Sequence, residues 1–91
     1  MEMDISDIVE EIKQAYDYAY KNFNISTQLI CSNSNASEEE IERFLDLLLG
    51  YSEDDRILEL YIKVCRTFYS KYPELITEHI LIYKDMYKQS N

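Results

Sequence analysis

Apolar residues recur every three or four positions along most of the chain, which contains a single glycine and a single proline. That spacing places apolar side chains on one face of a helix, whereas a half-buried strand needs alternation every second residue. From Asp4 to about Phe23 the stripe consists of Ile5, Ile8, Val9, Ile12, Ala15, Tyr16, Ala19 and Phe23. It predicts one amphipathic helix with this face turned inward. Asp4 or Ser6 is placed to cap it, and Asp7, Glu10 and Glu11 lie early in the helix, where the macrodipole favours negative charge. Residues 24–37 (NISTQLICSNSNAS) break the pattern. Asn24 can end or start a helix, Ile25, Leu29 and Ile30 are apolar, and a short helical turn followed by a flexible loop at Ser32 to Asn35 is expected.

Ser37 and Glu40 make the S-x-x-E arrangement, in which each side chain satisfies a backbone amide at a helix start. Helix two is therefore expected from about Glu38 to Leu49, burying Ile41, Phe44, Leu45, Leu48 and Leu49, with Gly50 as a left-handed cap. Ser52 and Asp55 offer a similar cap for helix three, whose inward face is Ile57, Leu58, Tyr61, Val64, Cys65 and Phe68. Pro73 forces that helix to end near residues 70–72 and is itself favoured at a first helical position. Helix four is expected from Pro73 to about Lys88, with Ile76, Ile80, Tyr83 and Tyr87 inward. No stretch offers sustained alternation, so strands are not expected. The chain reads as one all-α domain over residues 1–91: a four-helix bundle with a short extra helical turn between helices one and two.

Charge is unevenly distributed along this bundle. Residues 1–59 hold fifteen of the eighteen carboxylates and four of the nine basic residues, a net −11, while residues 60–91 carry three acids against five bases, a net +2. Such a pole repels nucleic acid and anionic lipid and steers a cationic partner into encounter. Neither a nucleic acid nor a membrane surface is an expected ligand, and no apolar run approaches a membrane span. Residues 1–12 lack the basic start and apolar run of a secretory leader, and two cysteines, Cys31 and Cys65, without CxxC spacing fit a reducing compartment. A cytoplasmic location is expected.

The same composition leaves little material for catalysis. Enzymatic sites commonly draw on glycine-permitted turns, on a histidine beside a nucleophile, or on a ligand cluster. His79 is the one histidine, with Ile76 rather than an acid three positions before it, so the paired Glu-x-x-His sets of di-metal bundles are not formed. Glu53, Asp54 and Asp55 lack the spacing and the glycine of a calcium loop. His79 falls off the main apolar stripe and reads as a partly exposed residue or a hydrogen bonder at the edge of the core. No catalytic residue, metal or cofactor is expected, and the protein is read as a non-enzyme.

What remains is acidity and tyrosine. Glu38, Glu42 and Asp46 stand four apart and so line one strip of helix two, Glu39 lies beside them, and Glu53, Asp54 and Asp55 carry the charge onto the next helix start. The strip fits either a partner-binding surface or a plain solvated face whose first carboxylates serve the helix dipole. Of the nine tyrosines, Tyr61 and Tyr83 are expected in the core, while Tyr18, Tyr20, Tyr51, Tyr69 and Tyr72 fall on or near polar faces. There they would act as anchors in an interface or cap the edge of the core. Tyr51, next to Gly50 at the acidic corner, is read as an interface residue.

Glu38, Glu39, Glu42 and Asp46 on helix two, residues 51–55 after it, and the run Phe68-Tyr69-Ser70-Lys71-Tyr72-Pro73 together resemble bacterial immunity proteins. These are small acidic helical inhibitors of nuclease bacteriocins and of contact-dependent growth inhibition toxins. The resemblance implies a basic nuclease toxin domain as partner, bound in a one-to-one heterodimer. It also implies inhibition by carboxylates placed where substrate phosphates would lie, with Tyr51, Tyr69 and Tyr72 as anchors. Two other readings use the same residues: a phage-type nucleic-acid mimic that blocks a host protein, and a homodimeric helical regulator whose tyrosines form a self-interface.

Overall fold

A computed structural model describes residues 4–87. It contains four helices: α1 Ile5–Cys31, α2 Glu38–Leu49, α3 Asp55–Phe68 and α4 Pro73–Met86. There is no strand among the described residues, so the expected all-α bundle is the observed architecture. The meeting points of the connections fix the helix directions. Lys71 Nζ donates to the Ser34 carbonyl at 2.6 Å and Tyr72 Oη to the Ala36 carbonyl at 3.0 Å. Thus α2 and α4 start at the same end. Ser52, after α2, meets Tyr87, after α4, through their hydroxyls at 3.0 Å, so they also finish together. Arg56 at the start of α3 reaches Asp17 in the middle of α1. Along α1, Tyr16 meets Tyr51, beyond the end of α2, while Phe23 further on reaches back to Phe44, so α1 runs antiparallel to α2 and α4 and parallel to α3. The topology is up-down-up-down, and α3 packs against all three other helices.

Local sequence accounts for most of the boundaries. The capping box at α2 is complete: Ser37 N–H donates to Glu40 Oε1 at 3.0 Å and Glu40 N–H to Ser37 Oγ at 3.1 Å. These bonds from Ser37, the backbone one first, hold the Glu40 carboxyl below its ordinary value. Pro73 opens α4, where a missing N–H costs nothing. Two expected caps differ. The cap of α3 is Asp54, which accepts from Arg56 N–H at 2.8 Å. Ser52 is instead buried and donates to the Leu49 carbonyl at 2.8 Å. Gly50 ends α2 at φ −65°, an ordinary right-handed conformation, so no left-handed cap is formed. At α1, Asp4 occupies the N-cap without a side-chain bond to the backbone; its carboxylate accepts from Ser6 Oγ instead.

The largest departure is α1, which runs unbroken through Asn24 to Cys31. The expected break and separate helical turn are one continuous helix. Tertiary packing outweighs the weak helix preference of Asn24 to Thr27, because the apolar spacing continues through Phe23, Thr27, Ile30 and Cys31. Thr27 is fully buried, and the other three pack against the core. Helix three ends at Phe68 and α4 at Met86; the expected end of α4 at Lys88 lies outside the described residues.

The core is built by α2, α3 and α4, with Ile41, Leu45, Leu48, Ile57, Val64 and Ile76 fully enclosed. Only the second half of α1 covers it. At 27 residues α1 is about 40 Å long, whereas its partners of 12 to 14 residues span about 18–21 Å. With α1 and α3 parallel and Asp17 level with the start of α3, the first turns of α1 extend past the bundle. Ile5, Ile8, Val9 and Ile12 accordingly remain 75, 44, 46 and 52 % exposed, so the inward face expected for this segment is not buried. The radius of gyration, 15.4 Å against about 12 Å for a compact chain of this length, reflects the same overhang.

Candidate functional site

Helix α2 turns Ile41, Leu45, Leu48 and Leu49 into the core, which leaves Glu38, Glu39, Glu42 and Asp46 exposed on its outer side. The i, i+4 spacing of Glu38, Glu42 and Asp46 thus becomes a continuous acidic strip one helix long. Glu53 and Asp55 are also exposed at the start of α3, and Tyr51 lies in the turn between the two helices, partly open to solvent. Tyr51 is held edge-on against Tyr16 and Phe23 of α1, with ring centroids 6.0 and 5.2 Å away. Its ring is therefore fixed in orientation while one edge faces water, the arrangement expected of a contact residue that loses little freedom on binding.

One member of the strip is wired into the interior. His79 is 2 % exposed, so of its two readings the hydrogen bonder at the edge of the core is the one observed. Its Nε2 donates to Asp46 Oδ1 at 2.7 Å, and its Nδ1 lies 2.8 Å from Tyr61 Oη, which also donates to the His79 carbonyl at 3.0 Å. With a proton on both ring nitrogens every one of these contacts has a donor. With a neutral ring the single Tyr61 proton is shared between Nδ1 and the carbonyl. The chain Asp46–His79–Tyr61 ties α2, α4 and α3 together. Burial first, then the nearby Cys65 and Asp46, pushes the Tyr61 phenol above its ordinary range. Cys65 is buried and its thiol is pushed up to about 11, which removes it as a nucleophile near neutral pH. Among the described residues no group of three His, Cys, Asp or Glu side chains converges as a metal site would require.

Three expected contact residues are placed elsewhere. Asp54 forms a bidentate pair with Arg56, whose Nε and Nη2 lie 3.1 and 2.8 Å from its two carboxylate oxygens; Arg56 Nη2 also pairs with Asp17 at 2.9 Å. The Arg56 side chain holds the Asp54 carboxyl below its ordinary value, and the guanidinium stacks over Tyr20 at 4.9 Å. Asp54 is thus a structural clamp, and its charge is largely spent within the molecule. Tyr72 is half-buried and its hydroxyl is committed to the Ala36 carbonyl, so it closes the connection between α1 and α2. Tyr69 is exposed but lines an apolar groove between α3 and α4, apart from the acidic strip. Arg56, His79 and Asp17 were absent from the expected set. His79 continues the spacing of Ile76, Ile80 and Tyr83 on α4, a signal that the polarity of histidine conceals.

The fold and the surface define a small helical bundle with an acidic strip anchored to its core. Comparison of the chain with protein-family models, curated protein sequences and solved structures finds no match. No described helix is long and apolar enough to cross a membrane.

Proposed function

We propose that this protein is an immunity-type inhibitor: it binds a basic nuclease toxin domain, one inhibitor per domain, and denies it nucleic acid. The observation that carries this reading is the exposed acidic strip Glu38, Glu42 and Asp46, the last of them bonded to His79, with Glu53 and Asp55 exposed beyond the turn in which Tyr51 is braced. A nuclease cleft is positive because it must hold phosphates, so the same field that draws substrate draws this strip. The carboxylates set the encounter rate, and Tyr51, braced against α1, slows release. The mechanism is occupation of the phosphate sites; it asks for no chemistry from the inhibitor, no cofactor and no metal. The reading places the protein in the cytoplasm, where a nuclease toxin would act.

The test is rescue. A nuclease domain encoded beside this gene is expressed with and without the protein, and surviving cells are counted. Growth arrest relieved by the wild-type chain, but not by a chain with Glu38, Glu42 and Glu53 reversed to lysine, is the expected result. Arrest that the wild-type chain leaves untouched would overturn the proposal.

A further inference from the structure

The overhanging turns of α1 present Ile5, Ile8, Val9 and Ile12, which stand at i, i+3, i+4 and i+7 and form a single apolar ridge on a helix that nothing covers. This is the anchor pattern of a helix that lies in a groove. Over residues 4–12 the ridge is flanked by Asp4, Asp7, Glu10 and Glu11, with no basic residue. The same molecule contains a groove of matching chemistry. It runs between α3 and α4, has a volume of about 430 Å³, and is floored by Leu58, Ile76 and Ile80 with Ile62 and Tyr69 at its edge. Its basic members are Arg66 and Lys84, and neither makes an ion pair among the described residues.

We propose that the first turns of α1 dock into the α3/α4 groove of a second copy of this chain. Charge selects this occupant. Ridge against ridge would bring two sets of four carboxylates together, and an anionic lipid surface would repel them, whereas the groove offers two cations beside an apolar floor. Each copy carries one ridge and one groove, so reciprocal docking closes as a two-fold pair, the commonest symmetry of soluble oligomers. Neither the ridge nor the groove includes Glu38, Glu42 or Asp46 of α2, so the inference does not depend on the proposed function.

Sedimentation velocity on the full chain, from low micromolar to near-millimolar concentration, tests the proposal. The wild-type chain is expected to dimerise. A ridge variant, Ile8→Glu with Ile12→Glu, and a groove variant, Ile62→Glu with Tyr69→Glu, change only exposed positions. Each is expected to keep its helical circular dichroism and to raise the dissociation constant about tenfold or more. Mixing the two variants restores one intact ridge and one intact groove, and is expected to give a heterodimer that neither forms alone. A wild-type chain that stays monomeric throughout overturns the proposal. So does a groove variant that dimerises as well as the wild type, or a mixture that forms no heterodimer.

Discussion

Asp46 and His79 stand 2.7 Å apart, one with its side chain 65 % open to water and the other almost wholly enclosed. The acidic strip is thereby anchored to the core at one point, and the contact joins two helices whose other neighbours are mostly apolar. His79→Ala removes this bond and the ring nitrogen beside the Tyr61 hydroxyl, leaves that hydroxyl its bond to the backbone carbonyl of residue 79, and opens a cavity in the core. It is expected to cost about 3 kcal/mol in urea denaturation. Asp46→Ala, at an exposed carboxylate, is expected to cost about 1 kcal/mol or less. In a double-mutant cycle the two couple by about 1 kcal/mol; additive effects would mean that the bond is not made in solution.

The Asp54–Arg56 clamp gives stability a defined pH dependence. The folded-state value of Asp54 is depressed by the Arg56 side chain below the ordinary 3.8, so its contribution is present above that value and is lost as pH falls through the folded-state value. Asn retains the capping oxygen, which makes Asp54→Asn a test of the charge alone. The wild-type chain is expected to be the more stable at pH 7 by a few tenths to about 1 kcal/mol, with the gap closing below the ordinary carboxylate value. A gap that persists in acid would assign the effect to shape rather than charge.

Thr27 is fully buried, and its Oγ1 has no hydrogen-bond partner among the described residues. Thr27→Val replaces the hydroxyl with a methyl group of similar shape and removes a desolvation cost. It is expected to raise stability by about 1 kcal/mol, read as a higher midpoint in urea at unchanged slope. A lower midpoint would mean that the hydroxyl has a partner in solution.

The two thiols differ in access. Cys31 is half-buried, whereas Cys65 is buried with its thiol pushed up to about 11. At pH 8 an aromatic disulfide reagent is expected to titrate one thiol promptly and the second only with unfolding. Two rapid equivalents would show that the α3/α4 groove opens readily.

Of the acidic residues expected to meet a partner, those left without an internal cation should matter most. Glu38→Lys with Glu42→Lys is expected to slow association with the cognate nuclease domain about tenfold and to flatten its dependence on salt. Asp54→Lys should instead lower stability through loss of its cap. Stopped-flow association and urea melts of both variants separate the two effects.

The span of helix α2 was legible in the sequence, though not the conformation of Gly50 at its end, because its signals are local: a capping box at Ser37 and Glu40 and an uninterrupted apolar spacing. The extension of α1 was not, since Asn24 to Thr27 have weak helix preference alone and hold the helix only because Thr27 and Phe23 have a core to pack on. Periodicity in Ile5 to Ile12 established an apolar face without saying what, if anything, covers it. The Arg56 clamp joins Asp17 to Asp54 across three dozen positions, a convergence that spacing within one helix cannot reveal. The acidic strip was legible because it depends on a single helix; the bonds of Tyr72 to Ala36 and of Arg56 to Asp17 were not, because they join distant segments of the chain.

No described residue has a positive φ or a cis peptide bond, and the Cβ that Gly50 lacks would meet only the Leu47 carbonyl oxygen, at an ordinary 3.5 Å. No described position therefore demands one residue type for the sake of the backbone. Over evolutionary time a lineage of such chains is free to exchange most of its residues while the helices stay in place, so descent would be preserved in the rhythm of apolar positions long after identity at any one of them had worn away.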